Sequence, residues 1–133
     1  MKNNFNILFA EDSKVVQHLV KVTLQTRFNC TVSCCETSAD TILSIQDNIP
    51  DILILDYHLG KIATSDYADT VLDYTENREI HIPIIFFSSI KDRNVQSRLY
   101  DRGVYHIVSK NSDFFIDELN TCVSSIIKWI QIR

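Results

Sequence analysis

Glu11 and Asp12, Asp56, Ser88 and Lys110 stand far apart in the sequence, yet each follows closely on a short apolar run: FNILFA, ILIL, IIFF and VYHIV. Ile52 to Leu55 are continuous rather than alternating, the pattern of a strand covered on both faces. An acid cannot sit inside such a run, so Asp56 marks the strand's end, and in open α/β sheets ligands bind at the carboxyl ends of the strands. The competing reading is a turn, since Asp is common in turns and Gly60 follows. If the four strands are neighbours, three carboxylates, a hydroxyl and an ammonium meet on one rim.

That combination has a definite chemistry. Three close carboxylates repel, so the site needs a cation or must hold a proton. Oxygen ligands with room for water favour Mg²⁺. A carboxylate beside Mg²⁺ can act as a nucleophile and form an aspartyl-phosphate. A lysine then neutralises the oxygens of the moving phosphoryl group, and a hydroxyl can hydrogen-bond one of them.

The elements that must position these residues alternate strictly. Strands are expected at Phe5–Ala10, Cys30–Cys35, Asp51–Leu55, Ile84–Phe87 and Val104–Val108. Ser13 is placed to cap a first helix whose apolar residues are Val15, Val16, Leu19, Val20, Leu24 and Phe28. A second helix follows from about Ala39, with Ile42, Leu43 and Ile45, and ends before Pro50. A third runs through Tyr67, Ala68, Val71 and Leu72. A fourth, Asp92 to Arg102, buries Val95 and Leu99 and is ended by Gly103. The fifth is strongest, with Phe115, Leu119, Cys122, Val123, Ile126 and Ile130 on one face and Asp113, Asp117 and Glu118 at its positive end. Five strands and five helices in alternation imply a parallel sheet with helices on both faces.

Composition sets the bounds. The chain has 133 residues, 45% hydrophobic and 23% charged, which is the size and make-up of one globular domain. A net charge of -4 without a Lys/Arg cluster argues against a nucleic-acid surface. The N-terminal apolar run is too short for a signal peptide and no run spans a bilayer, so a cytoplasmic location is expected. Cys30, Cys34, Cys35 and Cys122 fit as reduced, mostly buried thiols. Adjacent Cys34 and Cys35 point to opposite faces of a strand and do not share a zinc ion.

The ordered set Glu11-Asp12, Asp56, Ser88 and Lys110 within five β/α units resembles the receiver domain of two-component response regulators across essentially the whole chain. The resemblance implies one receiver domain over residues 1–133, with a doubly wound, flavodoxin-like sheet of strand order 2-1-3-4-5. It implies that Asp56 accepts a phosphoryl group. Asp12, Asp56 and the backbone carbonyl of His58 would bind Mg²⁺ directly, and Glu11 through a water. Ser88 would hold a phosphoryl oxygen and Lys110 would pair with it.

The same resemblance makes the protein a switch rather than an enzyme. Its donor would be a sensor histidine kinase or histidine phosphotransfer protein. Its readout would be the face of the fourth helix, fifth strand and fifth helix, acting on a downstream protein, a fused output domain or a homodimer partner. Arg98, Arg102 and Lys128 are the exposed residues expected to set partner choice there.

The sequence also departs from the family. Asn111 follows the lysine where most receivers have proline after a cis bond, so the Lys110–Asn111 bond is either trans with a reshaped loop, or cis at a cost of about 3–4 kcal/mol. Ile107 stands where an aromatic switch residue is usual, and Tyr105, two positions earlier, is the candidate to share its role. His58 is placed to shape water access to the phosphoryl group, whereas His18, His81 and His106 read as surface or structural.

Three rivals remain. A phosphatase of the haloacid dehalogenase type needs a second acid where His58 stands. A nucleotide or flavin module needs a Gly- or Ser/Thr-rich loop where the acidic EDS stands. A receiver that has lost phosphorylation would serve as a protein-binding scaffold.

Overall fold

The computed structural model describes residues 4–59 and 66–132. Its order is β1 (Phe5–Ala10), α1 (Lys14–Arg27), β2 (Cys30–Cys35), α2 (Ser38–Asp47), β3 (Ile52–Leu55), α3 (Asp69–Asn77), β4 (Ile84–Ser88), α4 (Arg93–Asp101), β5 (His106–Ser109) and α5 (Phe115–Ile132). The five strands form one parallel sheet in the order β2-β1-β3-β4-β5. This is the expected topology. Gly60 and the turn assigned to it lie outside the described residues.

Alternation along the strands splits the interior into two cores. Ile7, Phe9, Ile54 and Phe87 face one side and pack under α1 and α5. Leu8, Leu53, Leu55 and Phe86 face the other, under α2, α3 and α4. Cys34 packs against the first core and Cys35 belongs to the second, so the adjacent thiols do point apart, and all four cysteines are free.

Several expectations need correction. In α1, Val15 and Leu19 are 79% and 43% exposed, while Gln17 is buried. The helix is turned so that the Gln17 Nε2 donates to the Glu11 carbonyl at 2.5 Å, a bond that hydrophobic spacing cannot anticipate. Leu43 is exposed too. Tyr67 precedes α3 and bridges to His58. β4 runs one residue further than expected, to Ser88, and β5 starts two residues late, at His106.

The helix ends follow the local chemistry. Ser13 caps α1 by accepting from the Val16 N–H at 3.3 Å. Asp92 caps α4 by accepting from the Asn94 N–H at 2.8 Å. Gly103 follows α4 at φ +87°, a conformation that favours glycine.

Of the residues in α4, only Leu99 is buried. Arg102 compensates. Its guanidinium donates to Glu76 at 2.8 and 3.0 Å, to Asp73 at 2.6 Å and to Asp69 at 3.2 Å, all on α3. Pairing with Glu76, only partly opposed by burial, pushes its already high pKa further up. Arg102 is therefore not the free partner-choosing residue expected from the sequence; its side chain is 18% exposed and committed to α3. Arg102→Ala is expected to cost about 1–2 kcal/mol, more than an ordinary surface pair because three carboxylates share the cation. Urea melts would show this, with a smaller difference in 1 M salt.

Candidate functional site

The rim residues are brought together by the last rungs of the sheet. The Glu11 N–H donates to the Cys35 carbonyl at 2.9 Å, the Asp56 N–H to Ala10 at 3.0 Å and the Lys110 N–H to Ser88 at 3.2 Å. Parallel pairing thus continues just past the strands, and side chains from four connections converge on one spot. Glu11, Asp12 and Asp56 each offer a carboxylate oxygen, and these atoms lie within 4.8 Å of one another.

Asp56 is 8% exposed and held from two sides. The Ser88 hydroxyl donates to its Oδ1 at 2.8 Å, and the Lys110 ammonium to its Oδ2 at 2.7 Å. Lys110 also pairs with Glu11 Oε1 and lies 5.6 Å above the centre of the Phe87 ring. Glu11 is 1% exposed, and its other oxygen accepts from the Ser13 N–H at 3.0 Å. Asp12 is the one exposed acid of the group. Neighbouring Ser89 is exposed as well, so of the two serines after the fourth apolar run it is Ser88 that reaches the site.

The electrostatics follow from burial and pairing. Burial pushes the Glu11 carboxyl up, and its bonds to Lys110 and the Ser13 N–H recover only part of that rise. Burial pulls Lys110 down, but Asp56 and Glu11 outweigh it and hold the ammonium above its ordinary range. The site therefore keeps a charged lysine against carboxylates that outnumber it.

An all-oxygen donor set this compact, with one exposed member, fits a small hard cation that retains water. Among the described residues, Glu11, Asp12 and Asp56 form the acidic cluster with this donor chemistry.

The flanking residues are placed as follows. The Lys110–Asn111 bond is trans. Its loop is closed by Ser109, whose Oγ accepts from the Asn111 N–H at 3.2 Å and whose carbonyl accepts from the Ser112 N–H at 3.2 Å. His58 stacks edge-on against Tyr67 at 5.1 Å. Ile107 packs against the second core, while Tyr105 lies just ahead of β5 and is exposed. His106 Nδ1 is 3.5 Å from the Tyr100 hydroxyl, and His18 and His81 are exposed.

Sequence reasoning missed Tyr57. Its hydroxyl donates to Asp69 Oδ2 at 3.0 Å and accepts from Arg98 Nη2 at 2.9 Å. Burial pushes the phenol up; Asp69 adds to this and Arg98 opposes it, so the proton stays on. A polar aromatic directly after Asp56 was the one visible signal, and its partners lie 12 and 41 residues away.

A separate cleft lies elsewhere. It measures about 670 Å³ and opens at the amino ends of β3 and β4, with Pro50, Ile82, Pro83 and Trp129 among its walls. None of the convergent rim groups lines it.

The response regulator receiver domain matches residues 7–122. Among solved structures, the signal receiver domain of a protein designated a Luxo repressor in Vibrio parahaemolyticus superposes with a TM-score of 0.85 at 22% identity, over 97% of this chain and 94% of that one. The Francisella response regulator 1452 receiver domain gives 0.81 at 19% identity, over 96% and 99%. A DNA-binding response regulator of the LuxR family from Staphylococcus aureus gives 0.79 at 16%, over 92% and 98%. At these identities the likeness to solved structures establishes the fold. No curated protein sequence matches the chain.

Proposed function

The chain belongs to the response regulator receiver family, and from that premise we propose that it is a phosphorylation switch in a two-component phosphorelay, with Asp56 as the acceptor. The observation that carries the reading is the placement of Asp56. One carboxylate oxygen meets a hydroxyl donor at 2.8 Å, the other a lysine at 2.7 Å, and two more acids stand beside it. A structural acid needs one partner; this one stands among the donors that a transferred phosphoryl group requires.

The donor is a phosphohistidine on a kinase or phosphotransfer protein. An Asp56 oxygen forms the new bond to phosphorus as the P–N bond to the imidazole breaks, and the leaving nitrogen keeps the electron pair and takes up a proton. Lys110 and the Ser88 hydroxyl, both already on the carboxylate, turn to the phosphoryl oxygens. Asp12, Asp56 and the His58 carbonyl would hold Mg²⁺, with Glu11 acting through a water, and the ion would supply positive charge at the acceptor site.

The modification adds roughly -1.5 to -2 of charge, taking phosphoserine as the guide. That charge shifts a pre-existing equilibrium at the α4-β5-α5 face, which controls a downstream partner, an output domain or a second copy. Residues 1–133 make up one receiver domain that works as a switch, not by turnover. Its reduced thiols suit the cytoplasm, and among the described residues no helix is long and apolar enough to cross a membrane.

The test is to incubate the protein with acetyl phosphate and Mg²⁺ and look for an acid-stable, base-labile phosphate. Labelling that EDTA prevents is the expected result. Absence of label would favour the scaffold reading, for which the packed Ile107 in place of an aromatic is the supporting observation.

A further inference from the structure

Tyr57 touches both the acceptor site and the helix expected to respond to it. At its backbone end, the Tyr57 N–H donates to Ser88 Oγ at 3.3 Å, and the same hydroxyl donates to Asp56 Oδ1 at 2.8 Å. At its side-chain end, the phenol lies between Asp69 on α3 and Arg98 on α4. Between the two ends the ring packs against Tyr67 at 5.4 Å and Phe86 at 6.2 Å.

We propose that Tyr57 is a lever that carries the state of Asp56 to α4 by way of α3. This deepens the switch reading above and rests on it. Ser88 has one proton. With a phosphoryl group on Asp56, that proton goes to a phosphoryl oxygen, the more strongly charged acceptor. The hydroxyl then turns away from the Tyr57 N–H, whose nearest replacement acceptor is the phosphoryl group itself.

Tyr57 is thus the first residue of the connection to be drawn toward the site, and its confined ring transmits the shift rather than absorbing it by rotation. The shift reaches a shared acid. Asp69 accepts from the Tyr57 hydroxyl and also from Arg98 at 3.1 Å and Arg102 at 3.2 Å. Moving the phenol therefore alters at once the footing of Arg98 on α4 and of Arg102 just past its end, on a helix with only one buried residue, Leu99.

Tyr57→Phe removes the grip and keeps the ring. The experiment follows hydrogen exchange of the α4 amides with and without acetyl phosphate and Mg²⁺, alongside the extent of base-labile labelling. Wild type is expected to show a donor-dependent change in α4 exchange of about tenfold, the size of one hydrogen bond to a charged group. Tyr57→Phe is expected to label to the wild-type extent and lose that change.

Asp69→Asn, which breaks the clamp at its other member, is expected to behave likewise. A labelled Tyr57→Phe that keeps the full donor-dependent change overturns the lever, as does a labelled wild type with no change in α4. If wild type takes no label, the switch reading itself fails and the lever goes with it, an outcome distinguished by the missing phosphate.

Discussion

Asp56→Asn is expected to take up no base-labile phosphate under conditions that label wild type, while still melting cooperatively. The amide has the shape of the carboxylate but no nucleophilic oxygen, so the acceptor bond cannot form. Lys110 loses one of its two anionic partners and keeps Glu11, while the crowding of carboxylates is relieved by one member. These two effects oppose each other, so the fold survives and the lost label cannot be ascribed to unfolding. The substitution also removes one carboxylate from the proposed cation site. Wild type at a Mg²⁺ concentration 100 times its dissociation constant gains about 2.7 kcal/mol of stability, and the variant is expected to lose most of that gain. Thermal melts with and without Mg²⁺ read both effects.

Lys110→Met has the larger effect on the fold. Methionine fills similar volume beside Phe87, but it leaves the nearly inaccessible Glu11 and the mostly buried Asp56 facing each other without a cation. Removing one member of a buried ion pair costs roughly 3–5 kcal/mol, and the partial exposure of Lys110, 22%, sets the expectation at the lower end. The pH dependence gives the cause. Burial already raises the Glu11 carboxyl above its ordinary value of 4.5, and Lys110 is what restrains the rise. Without the lysine the folded state binds the Glu11 proton more tightly still, so acidification favours folding at this site. The variant's deficit is therefore full at neutral pH and narrows as pH falls toward the ordinary carboxyl range. Urea melts of both proteins at pH 5 and pH 7.5 measure it, and a deficit that widens on acidification would contradict the assignment.

Legibility in the sequence followed the range of the interactions. Continuous apolar runs such as Ile52–Leu55 can be read directly, because a strand buried on both faces has no polar positions to lose. Once the strands are in order, the sheet determines what meets at their ends, and Glu11, Asp12, Asp56, Ser88 and Lys110 do meet there. Helix faces were less transparent. Gln17 is buried because a backbone carbonyl needs a donor, and Val15 and Leu19 are exposed as a consequence of the same turn of α1. Arg102 looked like free surface because Asp69, Asp73 and Glu76 belong to another helix with no periodic relation to it. Tyr57 stayed hidden for that reason too.

The charges gathered at the rim also bear on how donors arrive. Three carboxylates face one ammonium, and the most accessible of them, Asp12, stands at the entrance. Until a cation is bound there, an anionic phosphodonor approaching Asp56 would meet a field of its own sign, which salt screens over about 8–10 Å and a divalent ion would offset. Small donors such as acetyl phosphate carry no matching surface to offset it. On the proposed reading, a protein donor that presents its phosphoryl group on a positively charged face would offset this field, and encounter frequency would then favour it over a small anionic donor.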